Sequence, residues 1–519
     1  MPWTMRKRAA TRKGFRAVVS LILCSPEPDL ELRLAPLLDR HQPLHFIGVG
    51  GIGMSALAGI LAERGYAISG SDPRDNAVLD RLRRLGVRVF LEQNAATVAA
   101  IRSGTSVSPQ VVISSAVPET NPELLEARRL GLAICHRSDV LAALINGQDS
   151  IAVAGSHGKT TTSTLIATLL AATKHDPTAV IGGIVPAFGS NGRHGEGRLL
   201  VAEADESDGS LVKFRSSLGV LTNVELDHTD HYPDLEALIT TLQRFAGNTS
   251  RLLANHDDPV LRERFKASHW WSIESAAGLS FAAIAQEQRG DGTVADFFED
   301  GELVGRFELP LPGRHNLSNA VAAMAACRLE GVSFAELGEA VAALQAPGRR
   351  FDFRGLWQGR LVVDDYAHHP SEVAATLAMA RLMVDSGRSA LPVAPRRLVA
   401  VFQPHRYSRT AQFLEGFAAA LSEADSVLIA PLYAAGEAPI PGISSAAMAE
   451  AVRQLAPNLP VAVAHTLDEL AAQVAAKSQE GDLVIAMGAG DVNSLWERLE
   501  QRQQAVDSAI AASAAPLAA

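Results

Sequence analysis

The chain has 519 residues, more than one ordinary hydrophobic core accommodates, so roughly three domains are expected. Its 47% apolar and 20% charged content is that of a folded globular protein and excludes a disordered chain. A net charge of −10 argues against a nucleic-acid partner, which needs a broad basic face, so any phosphorylated ligand must be held by local devices.

From the N-terminus, Met1–Arg16 is basic and Ala17–Cys24 apolar, like the start of a signal peptide. No small-x-small cleavage site follows, and the chain runs into Ser25-Pro26-Glu27-Pro28, so residues 1–43 read as a basic extension. No apolar run reaches the roughly 20 residues of a membrane span, so no membrane insertion is expected. Cys24, Cys135 and Cys327 are isolated, which fits neither a disulfide framework nor a zinc knuckle and points to a reducing, cytoplasmic setting.

Repeated strand–loop–helix units then predict an α/β protein with parallel sheets. In residues 44–148 the strand Leu44–Val49 leads through glycines into a helix over Ser55–Glu63, with further strands at Tyr66–Ser69 and Val111–Ser114. Residues 149–347 open with the strand Ile151–Ala154 and a helix over Thr160–Ala171, followed by strands Leu199–Glu203 and Val220–Asn223, and end at Pro347-Gly348. Residues 348–500 hold strands Leu361–Asp364, Leu398–Phe402, Val427–Ala430 and Leu483–Met487, a helix Ser371–Leu382 and a Pro/Ala-rich loop Arg388–Arg397. The Ala-rich residues 501–519 lack a bulky apolar face and read as a flexible tail.

Gly48, Gly50, Gly51 and Gly53 follow a strand and open a helix near Ser55, where a backbone without side chains lets a pyrophosphate approach the free N–H groups. Asp72 closes the next strand, where an acid can meet a ribose hydroxyl. Alone, this fits an NAD-dependent oxidoreductase, another diphosphate ligand, or a packing turn.

Gly155-Ser156-His157-Gly158-Lys159-Thr160-Thr161 is the second glycine loop between a strand and a helix. Its amides can cradle phosphates, Lys159 can reach the β- and γ-phosphates, and the Thr160 hydroxyl can ligate Mg²⁺. The spacing is shorter than the general G-x-x-x-x-G-K-[ST] pattern. Hydride transfer has no use for a γ-phosphate, so this loop disfavours the dehydrogenase reading. Downstream, Glu203-Ala204-Asp205-Glu206-Ser207-Asp208 and Asn223-Val224-Glu225-Leu226-Asp227-His228 each end a strand, where ligands of parallel sheets bind and where oxygen donors suit a hard cation.

In this order and spacing the motifs resemble the Mur ligase family, over about residues 44–495. Leu311–Asn319 (L-P-G-R-H-N-L-S-N), Gly348–Asp352 (G-R-R-F-D) and Asp364–Pro370 (D-D-Y-A-H-H-P) add further family-like segments. The resemblance implies three domains: an N-terminal Rossmann-like UDP-binding domain, a central P-loop ATPase-like domain and a C-terminal Rossmann-like domain. It further implies that ATP is bound by Gly155–Thr161, His315, Asn316, Arg350 and Asp365, and Mg²⁺ by Thr160, Glu203 and His228. His45–Ser55 and Ser69–Asp72 are similar to the family's alanine-adding branch, as is Phe402–Thr410, whose His405, Arg406 and Arg409 are then expected at the amino-acid carboxylate. The lysine that most relatives carbamylate beside a second metal is missing, as in that branch, since no lysine lies between Lys213 and Lys266. The implied reaction joins L-alanine to the lactyl carboxylate of UDP-N-acetylmuramate through an acyl phosphate, with Lys159, His228 and His368 as catalytic groups. A peptide-recycling ligase on the same scaffold is the nearest alternative; a nucleotide-hydrolysing switch would cleave ATP with no acceptor.

Overall fold

The computed structural model describes residues 38–104 and 106–514; most of the basic extension, residues 1–37, and the final 515–519 lie outside the described residues. Three sheets follow one another along the chain. The first has five parallel strands in the order Arg88–Phe90, Ile68–Ser71, Leu44–Ile47, Gln110–Ile113, Ile134–His136. The strand order reverses between Leu44–Ile47 and Gln110–Ile113, and the glycines at 48–53 leave the sheet at that crevice, where ligands of doubly wound folds bind. Leu44–Ile47 is buried throughout, as expected of a strand with helices on both faces.

The central sheet has ten strands. Its parallel part runs from Phe281–Arg289 through His269–Ser272, Arg251–Asn255, Leu218–Leu221, Ser150–Ala154 and Leu200–Glu203 to Thr178–Val185. Antiparallel strands close both ends: Gly292–Glu299 and Glu302–Leu309 on one side, Ser190–Arg193 on the other. The sequence reading placed no strands between 281 and 309. The alternation there is broken by a bulge between Ala285 and Glu287 and by charged outward residues, which hides the period of two.

The third sheet has six strands. An antiparallel edge strand, Asp352–Trp357, precedes Arg360–Asp365, and Asp482–Met487, Arg397–Phe402, Ser426–Ile429 and Val461–Val463 continue in parallel. The tail differs from expectation: Leu495–Ala514 is one helix, seeded by buried Leu495 and Leu499 and by the Trp357 indole donating to Leu499 O at 2.9 Å.

Two strand ends shifted for instructive reasons. The second strand is Ile68–Ser71, because Tyr66 N still bonds back to Leu61 O at 3.0 Å in the turn leaving the helix. Leu218–Leu221 stops early because Thr222 and Asn223 leave the sheet to hold the phosphate loop.

The domains touch closely. The helix Ile52–Glu63 packs on the edge strand Ser190–Arg193, where a Cβ on Gly192 would lie 2.8 Å from Ala56 Cα, and Asn191 Nδ2 donates to Ile52 O. One hydrophobic core runs from Leu44 and Leu57 of the first domain to Phe214 and Phe245 of the second. On the opposite side, Arg388 of the third domain pairs with Asp291 at 2.8 Å and Ala390 N donates to Gly290 O at 3.2 Å.

Candidate active site

The strand Ser150–Ala154 is fully buried and delivers the phosphate loop to the N-terminus of the helix Lys159–Ala172. No side chain caps that helix, so its first amides are free to meet an anion. The loop's glycines are structural necessities. Gly155 and Gly158 have φ of 122° and 81°, and side chains there would strike the Thr222 hydroxyl and Asn319 Oδ1. Asn223 Oδ1 accepts His157 N at 2.9 Å, the Thr222 hydroxyl donates to His157 O at 2.7 Å, and the Ser156 hydroxyl donates to Glu225 O at 2.7 Å.

Lys159 folds back over the loop, donating to Gly155 O at 2.8 Å and Ser156 O at 2.9 Å and pairing with Glu206 at 2.8 Å. Burial opposes its charge, but Glu206 and Asp205 outweigh it and hold the ammonium above the ordinary lysine range. The Thr160 hydroxyl donates to Glu203 at 3.0 Å, and Gly182 N donates to the other oxygen at 2.8 Å. Burial raises the Glu203 carboxyl pKa despite Lys159. Asp205, Glu206 and His228 offer ligand atoms within 4.8 Å of one another, His228 lying 3.4 Å from Glu206.

The C-terminal domain faces this cluster. Arg409 is buried and pairs with Asp227, while Arg406 pairs with Asp230 at 2.8 Å. Both guanidiniums expected at the amino-acid carboxylate are therefore tied to central-domain acids in this arrangement. His405 stacks on Tyr433 with centroids 5.6 Å apart, and its buried Nδ1 has no hydrogen-bond partner. Burial, then His368, holds its pKa down to about 4. His368 Nδ1 lies 2.9 Å from Tyr366 O and 3.1 Å from Glu372.

A cleft of about 1200 Å³ between these domains is lined by His157, Gly158, Asn316, Asn319, Arg350 and Asp365, among others. Asn316 Nδ2 donates to Pro312 O at 2.8 Å. His315 in the same wall is held neutral by burial and by Arg350, its pKa lowered to about 4. Asp365 accepts Phe351 N at 2.7 Å and Ala367 N at 2.8 Å, and burial lifts its pKa to about 6. Arg350 lies 3.5 Å from Glu372.

The first-domain residues form a separate group. Asp72 accepts Gly50 N at 3.1 Å, bracing the glycine loop, and the buried Ser55 hydroxyl donates to Ile52 O at 3.0 Å. Thus the loop at 155–161, Glu203, His228, His368, His405, Arg406 and Arg409 converge, Asn316, Arg350 and Asp365 line the adjoining cleft, and Gly48–Asp72 stands apart. Sequence reasoning did not single out Glu206, the partner of Lys159, or Asp227, the partner of Arg409, although both sit in acid-rich segments it had marked. Asn319, the last residue of the family-like segment Leu311–Asn319, lies beside Gly158, one helical turn on from Asn316.

In class, this is a nucleotide-dependent enzyme whose phosphate loop opens toward a second α/β domain. Three family descriptions match in succession: Mur ligase family, catalytic domain, over residues 43–149; Mur ligase middle domain over 153–327; and Mur ligase, glutamate ligase domain, over 349–490. The chain is 65% identical to the UDP-N-acetylmuramate–L-alanine ligase of Synechococcus sp. (strain CC9605) over 464 residues, 89% of this chain and 99% of that one. It is 62% identical over 472 residues to the enzyme of the same name from Prochlorococcus marinus (strain MIT 9303), covering 91% and 97%. The crystal structure of UDP-N-acetylmuramate–alanine ligase from Thermotoga maritima superposes with a TM-score of 0.73 at 25% identity, covering 90% and 100%. A murein peptide ligase from Psychrobacter arcticus shares the fold with a TM-score of 0.63 at 21% identity, covering 89% and 98%. The chain belongs to the Mur ligase family, a family of ATP-dependent ligases. The glycine fingerprint at 48–53, which alone fits a dehydrogenase, therefore stands in a ligase.

Proposed function

We propose that this protein joins L-alanine to the lactyl carboxylate of UDP-N-acetylmuramate with cleavage of ATP to ADP and phosphate, a step of peptidoglycan precursor synthesis. One observation carries the reading: a continuous chain of charged contacts links the phosphate loop to the basic row of the C-terminal domain. Lys159 meets Glu206 at 2.8 Å, His228 Nε2 lies 3.4 Å from Glu206 and 3.9 Å from Asp227, and Asp227 pairs with Arg409. A phosphoryl-transfer centre and a carboxylate-binding fork are thereby neighbours, as acyl activation followed by amine attack requires. The 65% identity to a ligase of that name, over 99% of its length, supports the same reading.

A carboxylate cannot expel oxide, so its oxygen first attacks the γ-phosphorus and ADP leaves; the amine then attacks the acyl carbon of the resulting acyl phosphate, expelling inorganic phosphate as it gives up a proton. Charge spread over the transferred group is met by positioned cations and amides. Lys159 and the free amides at the start of its helix hold the phosphates, with Arg350 reaching them from the other domain. Asn316 reads adenine and Asp365 the ribose, while Gly48–Gly53, with Ser55 and Asp72, holds the UDP moiety. His405, Arg406 and Arg409 take the alanine carboxylate, and His368 orients the amine and accepts its proton. For Arg406 and Arg409 this means sharing or exchanging Asp230 and Asp227, which the five donors of a guanidinium allow.

The donors fit Mg²⁺: the Thr160 hydroxyl beside Glu203, and Asp205, Glu206 and His228 clustered next to them, are mostly hard oxygens. Thr160, Glu203 and His228 would hold the cation, which when bound neutralises charge on the phosphates. Among the described residues no helix is long and apolar enough to cross a membrane, and a cytoplasmic site of action, where ATP is supplied, accords with that.

The test is ADP release by purified enzyme given ATP, Mg²⁺ and UDP-N-acetylmuramate with L-alanine, glycine, serine or tripeptide in turn. Alanine should support the fastest turnover. Preference for tripeptide would identify the recycling ligase instead, and uncleaved ATP would sink the proposal.

A further inference from the structure

Where the phosphate loop meets the C-terminal domain, three further side chains converge from three segments. His157 belongs to the loop, Glu225 follows the strand Leu218–Leu221, and His369 caps the helix Pro370–Ser386. Their ligand atoms lie within 4.8 Å of one another. His157 Nε2 is 3.1 Å from Glu225 Oε2, and His369 Nδ1 is 3.7 Å from the same oxygen. The two imidazole rings lie 4.7 Å apart, centroid to centroid, at 37°.

A tetrahedral Zn²⁺ with bonds of about 2.0–2.1 Å separates its ligand atoms by about 3.4 Å, and the two measured separations bracket that edge. The Ser371 hydroxyl donates to the remaining oxygen Glu225 Oε1 at 2.7 Å, an outer-shell contact of the kind that orients metal-bound carboxylates.

An ion pair already explains His157, which lies between Glu225 and Glu372, at 3.1 and 3.4 Å. It does not explain His369. That ring is only 2% exposed and its Nε2 has no hydrogen-bond partner; its Nδ1, 3.7 Å from Glu225 Oε2, accepts Ser371 N at 3.4 Å as the helix cap, a long bond that a metal on Nδ1 would replace. Burial first, then His157, keeps it neutral, with a pKa near 4, and neutral imidazole is the form that binds metals.

We propose that His157, Glu225 and His369 form a site for a borderline divalent transition metal, best fitted by Zn²⁺, that fastens the phosphate loop to the C-terminal domain. Two nitrogens and one carboxylate disfavour Mg²⁺, which prefers an all-oxygen octahedron, and favour Zn²⁺ or Co²⁺. The fourth position is left to water or to an oxygen of a bound ligand. On metal binding His157 releases its proton to solvent and enters as neutral imidazole.

The test uses the full chain stripped of metal and then placed in excess Mg²⁺, which competes for the oxygen-rich cluster around Glu206. Zn²⁺ is titrated by calorimetry and bound metal is counted. One equivalent should bind, with at least tenfold weaker binding in His369→Gln and in Glu225→Gln, and unchanged binding in His228→Ala. In the unaltered chain, Co²⁺ should give the visible absorption of a four-coordinate ion, and His369→Gln should lack it. Zn²⁺ binding that survives both substitutions, or that disappears in His228→Ala, overturns the assignment. So does Co²⁺ that binds the unaltered chain with only the weak spectrum of a six-coordinate ion, a result independent of how any variant folds.

Discussion

Lys159 has two separable jobs, and replacing it by alanine should show both. It is hydrogen-bonded to Glu206, which is 1% exposed, and its charge also offsets Glu203 and Asp205. Removing one partner of a buried ion pair leaves an uncompensated charge, a loss of about 3–5 kcal/mol. On the chemical side, a preorganised donor to a developing anion contributes roughly 10²–10³ in rate, about 3–4 kcal/mol. Lys159→Ala should therefore lower both the urea midpoint and ADP release. The double variant Lys159→Ala/Glu206→Ala separates the effects, because deleting the orphaned carboxylate restores stability without restoring a phosphate ligand. Urea unfolding and ligand-dependent ADP release, measured on the wild type, both single variants and the double, complete the cycle. Near-normal turnover in Lys159→Ala would refute the site. A double variant no more stable than the lysine variant would refute the charge-compensation reasoning.

Arg409→Ala should raise KM for alanine far more than KM for ATP, since the guanidinium lies on the C-terminal side of Asp227; equal effects on both would count against an amino-acid role. Gly158→Ala should abolish ATP binding in equilibrium dialysis, because alanine at φ 81° is strained and its methyl meets Asn319; retained affinity would mean the loop has another resting shape. His157, with its pKa raised to about 9 against burial by Glu225 and Glu372, contributes stability that is complete below its unfolded value of 6.5 and fades as pH climbs through 9. Unfolding free energy in chelator should thus fall by up to about 3 kcal/mol between pH 6.5 and 9.5 in the wild type, and much less in His157→Gln. A flat profile in the wild type would remove the charged pair.

The parts of this site that sequence alone revealed are those written in local spacing. Glycines before a helix, a lysine and threonines after them, and acids at strand ends all carry their chemistry within a few residues, so Gly155–Thr161 and Glu203 could be read directly. Partners distant in the chain could not. Arg409 and Asp227 are 182 residues apart, and their pairing depends on how two domains pack. The same holds for the edge strand Ser190–Arg193, whose S-N-G-R has little strand character and forms against Thr178–Val185 beside the helix Ile52–Glu63. The helix Leu495–Ala514 escaped notice because its anchor is the long-range contact with Trp357, not its own alanines.

The bare backbone at Gly192 has a mechanical consequence. With no side chain between sheet edge and helix, and with a continuous core behind them, the first two domains pack as one unit. The third domain joins this unit at Pro347-Gly348, where Gly348 N bonds to Ile184 O at 3.2 Å and Arg349 and Phe351 follow with left-handed backbone. In the proposed reaction the acid substrate is then presented to the phosphate loop across a directly packed contact, while the third domain carries the amine site together with Arg350 and Asp365. Mutations that loosen the packed contact should misalign the first half-reaction, whereas those at the junction should slow both.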